Sequence, residues 1–211
     1  MSKTFLPGAG RDFLLPFYDP LWRLMGGETM RATFIRDAGL AAGQRILDIG
    51  CGTGSLLVQI ADTVSGTRLS GLDPDPKALA RSRNKAARAG ADVNWTEGFA
   101  DQLPHADASF DRVISSFMFH HLGLDVKRGM LREARRVLVA GGELHLVDFG
   151  GKHSEQDGLL ARIFHAHGDH AEDLGGGVSV LFEESGFEDV RDMSQDKSLF
   201  GRYTHVRGVA H

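Results

Sequence analysis

The stretch Ile46-Leu47-Asp48-Ile49-Gly50-Cys51-Gly52-Thr53-Gly54-Ser55 decides how the rest of the chain is read. A short β-forming run meets three glycines at alternate positions, and an apolar helical pattern opens directly after them at Leu56. A strand, a tight turn and a helix start are therefore expected in immediate succession. Glycine permits positive φ and carries no Cβ, so the backbone of such a turn can approach a ligand closely. The free N–H groups at the helix start suit an anionic or dipolar ligand group.

Spacing separates two classes of cofactor. Dinucleotide-binding turns follow Gly-x-Gly-x-x-Gly, which would place glycine where this chain has Ser55. Here the pattern is Gly50-x-Gly52-x-Gly54, with Asp48 two residues before the first glycine. A carboxylate at that strand end sits badly beside a pyrophosphate and well beside a cation. S-adenosylmethionine, with both an ammonium and a sulfonium, meets that condition; a turn that binds nothing is the plain structural alternative. Asp73 ends a second strand-like run, Gly71-Leu72-Asp73-Pro74, 19 positions after Gly54. An acid about 20 residues on can grip a ribose diol with its two oxygens. Asp73 is also a possible helix cap, but Asp75, with Pro76 at the first helical position, is better placed for that.

Outward from the loop, strand-like runs alternate with helical patterns. Arg45–Ile49, Arg68–Asp73, Val93–Glu97, Asp111–Ser116 and Glu143–Phe149 read as strands. Leu56–Thr63, Pro76–Ala89 and Asp125–Val139 read as the helices between them. That alternation implies right-handed crossovers and a doubly wound, mostly parallel α/β sheet covered on both faces. Phe13–Met25 and Glu28–Leu40 precede it as two further helices. Leu159–His167 and Val178–Ser185 follow it as helices, the second closed by Gly186. Glu188–Met193 and Tyr203–Ala210 then read as an antiparallel C-terminal hairpin at one sheet edge, giving seven strands in all.

A chain of 211 residues suits one well-buried core. With 24 Lys+Arg against 28 Asp+Glu, its formal charge is -4, which argues against nucleic acid as a partner, because phosphate binding wants a clustered basic surface. Lys77, Arg81, Arg83, Lys85 and Arg88 share one helix with inward alanines and are expected to form a solvated face. No apolar run reaches the roughly 18 residues of a membrane span, and Met1–Leu15 lacks the apolar core of a secretory leader. Cys51 is the only cysteine, so no intramolecular disulfide exists, in keeping with a reducing, cytoplasmic setting.

Four segments in order resemble the class I S-adenosylmethionine-dependent methyltransferases, particularly the broad type 11 small-molecule group, over nearly all of 45–149. They are the glycine loop with Asp73, Glu97–Pro104, Ser109–Leu122 and Leu131–Gly142. The resemblance implies a Rossmann-like methyltransferase fold in one domain over 1–211. Residues 1–42 would be lid helices, 43–150 the cofactor-binding core and 151–211 the acceptor-pocket region with the hairpin. It also implies roles at matching positions. Asp48, Gly50, Cys51 and Gly52 would surround the methionine moiety, Asp73 the ribose, and Pro74 the flank of the adenine. Phe99 and Ala100 would line the adenine ring, Asp101 would meet its exocyclic amine, and Ser116 and Phe117 would lie under the cofactor.

Methyl transfer from a sulfonium is an in-line displacement, so positioning and exclusion of water come first. A base is needed only for an acceptor that carries a proton at neutral pH. His120 and His121, after the fourth strand, are candidates for it, or they pack the loop. Tyr18 either closes over the cofactor or buries its ring with Phe17 and Trp22. The spacing of His165, His167 and His170 could support a metal site with Asp169 or Asp173 assisting, but no cysteine accompanies them and Gly168 disturbs the helix that would align them, so they read as a polar lid in preference to a pocket wall and no metal is expected. Tyr203 and His205 are expected to be structural.

The partner expected is therefore a small-molecule acceptor, with no membrane. Quinone-precursor C-methyltransferases share the layout; arsenite methyltransferases are disfavoured by the single cysteine. Two other readings stay open: a nucleotide-dependent oxidoreductase on the same fold, and a non-catalytic cofactor-binding protein.

Overall fold

The computed structural model describes residues 27–149, 177–198 and 201–211. Helix α1 (Gly27–Asp37) leads into β1 (Arg45–Ile49), α2 (Ser55–Thr63), β2 (Arg68–Asp73), α3 (Pro76–Ala89) and β3 (Val93–Glu97). Then come β4 (Phe110–Ser116), a 3₁₀ turn at Phe119–His121, α4 (Leu124–Val137) and β5 (Leu138–Phe149). Helix α5 (Gly177–Glu184), β6 (Phe187–Ser198) and β7 (Gly201–Ala210) complete the order.

The seven strands form one sheet in the order β3-β2-β1-β4-β5-β7-β6. The first five are parallel, and β7 runs antiparallel to both β5 and β6. The α/β sheet with its C-terminal hairpin is thus the architecture the alternation predicts. Strand order reverses between β1 and β4, and ligands of open α/β sheets bind at such a switch, outside the carboxyl ends of the strands.

Alternate side chains of the central strands feed two cores. Leu47 and Ile49 face α4 and α5 with Met130, Leu131 and Phe182. Ile46 and Ile114 face the other way, against Phe34, Leu56, Ile60 and Leu79. Helix α3 starts where its sequence says. Asp75 accepts the Lys77 N–H at 2.8 Å, Pro76 stands at the first position, and Gly90 closes the helix with φ 66°.

Four expectations change. The segment after α4 is strand: Leu138 is extended and pairs with Phe110, and a register shift follows before Arg112 meets Glu143. The Gly141-Gly142 pair therefore sits in a bulged strand, with Gly141 at φ 76°, instead of a turn that ends a helix. Strand β6 runs to Ser198, beyond Met193, because pairing to β7 continues through polar residues that carry no apolar alternation. The basic face of α3 is not wholly solvated, since Lys85 Nζ reaches back to Thr53 Oγ1 at 2.9 Å and Ser55 Oγ at 2.5 Å. Helix α1 ends at Asp37, short of Leu40. The helices read at Phe13–Met25 and Leu159–His167 lie outside the described residues.

Candidate active site

The glycine loop is fixed by backbone bonds to β2. The N–H groups of Gly50 and Cys51 both donate to the Leu72 carbonyl, at 2.8 and 3.0 Å. Gly52 N–H donates to Asp73 Oδ2 at 2.8 Å, and Asp75 N–H donates to Asp73 Oδ1 at 2.9 Å. Asp73, buried at the end of β2, thereby ties the loop to the start of α3. Each of its oxygens keeps a further lone pair for a ligand. Burial raises its pKa, and the two backbone N–H donors oppose that rise.

The glycines have different neighbours. A Cβ at Gly50 would strike Met118 Cγ at 2.4 Å, and one at Gly54 would strike the Trp95 ring at 2.5 Å. A Cβ at Gly52, where φ is 53°, meets nothing within 4 Å among the described residues. The first and third glycines make room for the protein, and the second leaves space open above the loop.

Asp48 is an electrostatic anomaly among the described residues. It is 1% exposed, and neither carboxylate oxygen has a hydrogen-bond partner among the described residues. Burial first, and then the neighbouring Asp73 carboxylate, raise its pKa to about 8. An isolated buried carboxylate is costly, and a cation or a set of donors relieves the cost. An ammonium group fits this acid, and a ribose diol fits the spare lone pairs of Asp73. Cys51, buried beside them, has its thiol pKa raised by burial and then by Asp48.

The segment expected at the adenine is pinned from two sides. Gly98 N–H donates to the Asp73 carbonyl at 3.2 Å, and Leu103 N–H donates to Glu133 Oε2 of α4 at 2.7 Å. The Arg136 guanidinium holds the carbonyls of Leu103 and His105 while pairing with Glu133 and Asp107. Phe99 pairs with Gln102 around a turn, and Asp101 packs on the face of α4 that Gly129 leaves open. Pro74, Phe99, Ala100 and Asp101 are all half-buried.

At the carboxyl end of β4, Ser116 is half-buried and Phe117 takes φ 52°. Positive φ is an outlier for a bulky residue and marks a constrained position. Phe117 N–H donates to the Val147 carbonyl at 2.9 Å, and its ring meets Tyr203 edge-on at 6.0 Å. The 3₁₀ turn then presents His120 to Asp148 of β5. Asp148 Oδ2 accepts the His120 N–H at 2.8 Å, and Oδ1 lies 2.5 Å from Nδ1. An ionised carboxylate only accepts, so Nδ1 donates to it, and the lone pair of a neutral His120 ring lies on Nε2. The His121 ring lies 3.9 Å from that of His120. Partial burial, and then His120, lower the His121 pKa to about 4 although its outer edge is exposed.

The chain thus gathers Asp48, Gly50, Cys51, Gly52 and Asp73 at the ends of β1 and β2. Ser116 and Phe117 stand at the end of the adjoining β4, with His120 and His121 in the turn after it. Tyr18, His165, His167 and His170 lie outside the described residues. Asp148, which orients His120, was not singled out in the sequence. Its position near the carboxyl end of a predicted parallel strand was the available signal.

Beside this site, α1, the ends of β4 and β5, and residues of β6 and β7 line a small recess with room for about one water molecule. Phe34, Phe117, Val147, Tyr203 and His205 form much of its wall.

Comparison with known proteins adds a family. A family described as "Methyltransferase domain" matches residues 46–142. A demethylmenaquinone methyltransferase from Thermus thermophilus is 34% identical over 154 residues, which cover 72% of this chain and 69% of that one. One from Deinococcus radiodurans is 31% identical over 157 residues, covering 73% of this chain and 64% of that protein. The chain therefore spans about two thirds of the length of these relatives. In fold it is similar to the YcgJ protein from Bacillus subtilis, with a TM-score of 0.72 at 18% identity, over 87% of this chain and 99% of that one.

Proposed function

The chain belongs to the class I S-adenosylmethionine-dependent methyltransferases, and from that premise we propose that it transfers the cofactor's methyl group to a small-molecule acceptor by in-line displacement. The observation that carries the proposal is Asp48, a buried carboxylate at the mouth of the glycine loop with no hydrogen-bond partner among the described residues. A cationic ligand answers that charge, whereas the pyrophosphate of a dinucleotide would add repulsion. Asp48 is thus assigned the ammonium of the methionine moiety, beside Gly50, Cys51 and Gly52. Asp73 takes the ribose hydroxyls. Pro74, Phe99, Ala100 and Asp101 form the adenine side, and Ser116 and Phe117 form the floor beneath the reacting end.

Bound S-adenosylmethionine supplies an electrophilic methyl group on a sulfonium. The chain's own part is to hold the acceptor in line and keep water out. His120 is the candidate base, held by Asp148 through Nδ1, for an acceptor whose nucleophilic atom carries a proton. His121, kept neutral, packs against it. Tyr18 is assigned to the cover. By this division 1–42 cover the site, 43–150 bind the cofactor, and 151–211 shape the acceptor side of a single domain. A cytoplasmic enzyme without a nucleic-acid partner is the matching setting. The single cysteine and the acidic balance support it, and no described helix is long and apolar enough to cross a membrane.

Calorimetric titration with S-adenosylmethionine, S-adenosylhomocysteine and NADH tests the proposal. Saturable binding of both adenosyl ligands, lost in Asp73→Ala and absent for NADH, is expected. NADH binding in their place turns the reading to an oxidoreductase. A folded chain that binds neither adenosyl ligand removes it. Binding without turnover across a broad acceptor screen leaves a non-catalytic cofactor-binding protein.

A further inference from the structure

We propose that Gly129 is a positioning residue for cofactor selectivity: the gap it leaves in α4 sets the depth of Asp101, and that depth lets the chain choose an adenosyl thioether over one whose purine carries a carbonyl in place of the exocyclic amine. The proposal deepens the methyltransferase reading and rests on it for placing the base beside Asp101.

Glycine is a poor helix former, yet Gly129 stands buried in the interior of α4. Its φ lies outside the left-handed region, so the backbone makes no use of the freedom glycine offers. What the position needs is space. A Cβ there would lie 2.8 Å from Asp101 Cβ, 3.6 Å from its Cα and 3.9 Å from its Cγ. The nearest of these atoms is bonded to the backbone, so no rotation within the Asp101 side chain clears it. The loop itself would have to move.

The rest of α4 opposes that movement. Glu133, one turn along the same helix face, accepts the Leu103 N–H at 2.7 Å. Arg136 donates to the carbonyls of Leu103 at 3.1 Å and His105 at 2.8 Å. Upstream, Gly98 N–H donates to the Asp73 carbonyl at 3.2 Å, and Gln102 N–H closes a turn onto the Phe99 carbonyl at 3.1 Å. The segment is thus slung between β2 and α4 with Asp101 near its middle. A carboxylate held there at a fixed depth accepts from an amine and repels a carbonyl oxygen. A site built around such a bond rejects the analogue that cannot make it, and a shift of about 1 Å takes the bond out of range. A methyl group at 129 imposes a shift on the residue that discriminates and leaves its carboxylate in place chemically.

Calorimetric titration of the full chain with S-adenosylhomocysteine and S-inosylhomocysteine tests this. The parent is expected to bind the adenosyl ligand about a hundredfold more tightly, and Asp101→Ala to erase the preference. Gly129→Ala should cut the preference about tenfold, the worth of one spoiled hydrogen bond. Glu133→Gln weakens the other tie between α4 and the loop, leaves the glycine alone, and should cut the preference about threefold. Phe182→Ala, a destabilising change on α5, should keep it whole. A Gly129→Ala chain that melts lower yet keeps the full preference overturns the proposal. So does an unchanged preference in Glu133→Gln, a loss matched by Phe182→Ala, a preference that survives Asp101→Ala, or equal binding of the two ligands by the parent. Each of those results leaves the cofactor reading standing. A folded parent that binds neither ligand is the distinct failure: it removes the cofactor reading and the selectivity role with it.

Discussion

Asp48 shows how one side chain links stability to ligand binding. Its pKa is raised to about 8, so the folded chain binds a proton there that the unfolded chain has lost above about pH 4. An acid raised in this way makes stability fall as pH climbs between those two values. Asp48→Asn removes the titration. Relative to the parent, its stability is expected to improve progressively from about pH 5 to about pH 8, by several kcal/mol, read from denaturant melts. Binding of a cationic cofactor should expel the same proton. At about pH 7 the parent should release close to one proton per S-adenosylmethionine, measured by calorimetry in buffers of different ionisation enthalpy. Proton-neutral binding by the parent would remove the ammonium from Asp48.

Among elements, the glycine loop separates packing from binding. Gly54→Ala presses a methyl group into Trp95 and Ser82, and should cost about 2 kcal/mol of stability. Gly52→Ala meets no atom of the described residues within 4 Å. It should cost about 1 kcal/mol for its left-handed backbone, yet lose more cofactor affinity than stability. Paired melts and titrations of the two variants check this; equal effects on both quantities would mean that the open space above Gly52 holds no ligand. The loop and the strands around it were legible because the information is local: β1, β2, β3 and α3 have the bounds their alternation and caps predict. The start of β5 was hidden because a bulge carries glycines that read as a turn. The polar contacts were hidden for another reason. Lys85 meets Thr53 across 32 positions, His120 meets Asp148 across 28, and His145 meets His205 across 60. No periodicity encodes such pairs; the crossovers of the sheet bring them together.

At the scale of the whole molecule, the two cores share their strands. Val113 packs toward Leu131 while Ile114, its neighbour on β4, packs toward Ile60. Loosening one face therefore loosens the sheet that supports the other. Phe182→Ala on the α5 side and Ile60→Ala on the α2 side should each remove about 3 kcal/mol from one common unfolding transition. Circular dichroism at two wavelengths would reveal separate faces as non-coincident curves. Saturation with S-adenosylmethionine at about 100 times its Kd should raise that same transition by about 2.7 kcal/mol.

The reversed direction of β7 has a consequence for how such a molecule can change. Because β7 runs against β5, its early residues, Tyr203 and His205, arrive at the end of the sheet where the parallel strands finish. Asp48, Gly52 and Asp73 come from a different stretch of chain altogether. Changes in the hairpin can therefore reshape that end of the sheet and leave the glycine loop with its two acids where they are. A graft of 187–211 between relatives is expected to alter the rim beyond β5 and to leave the backbone bonds from Asp73 to Gly52 and Asp75 intact.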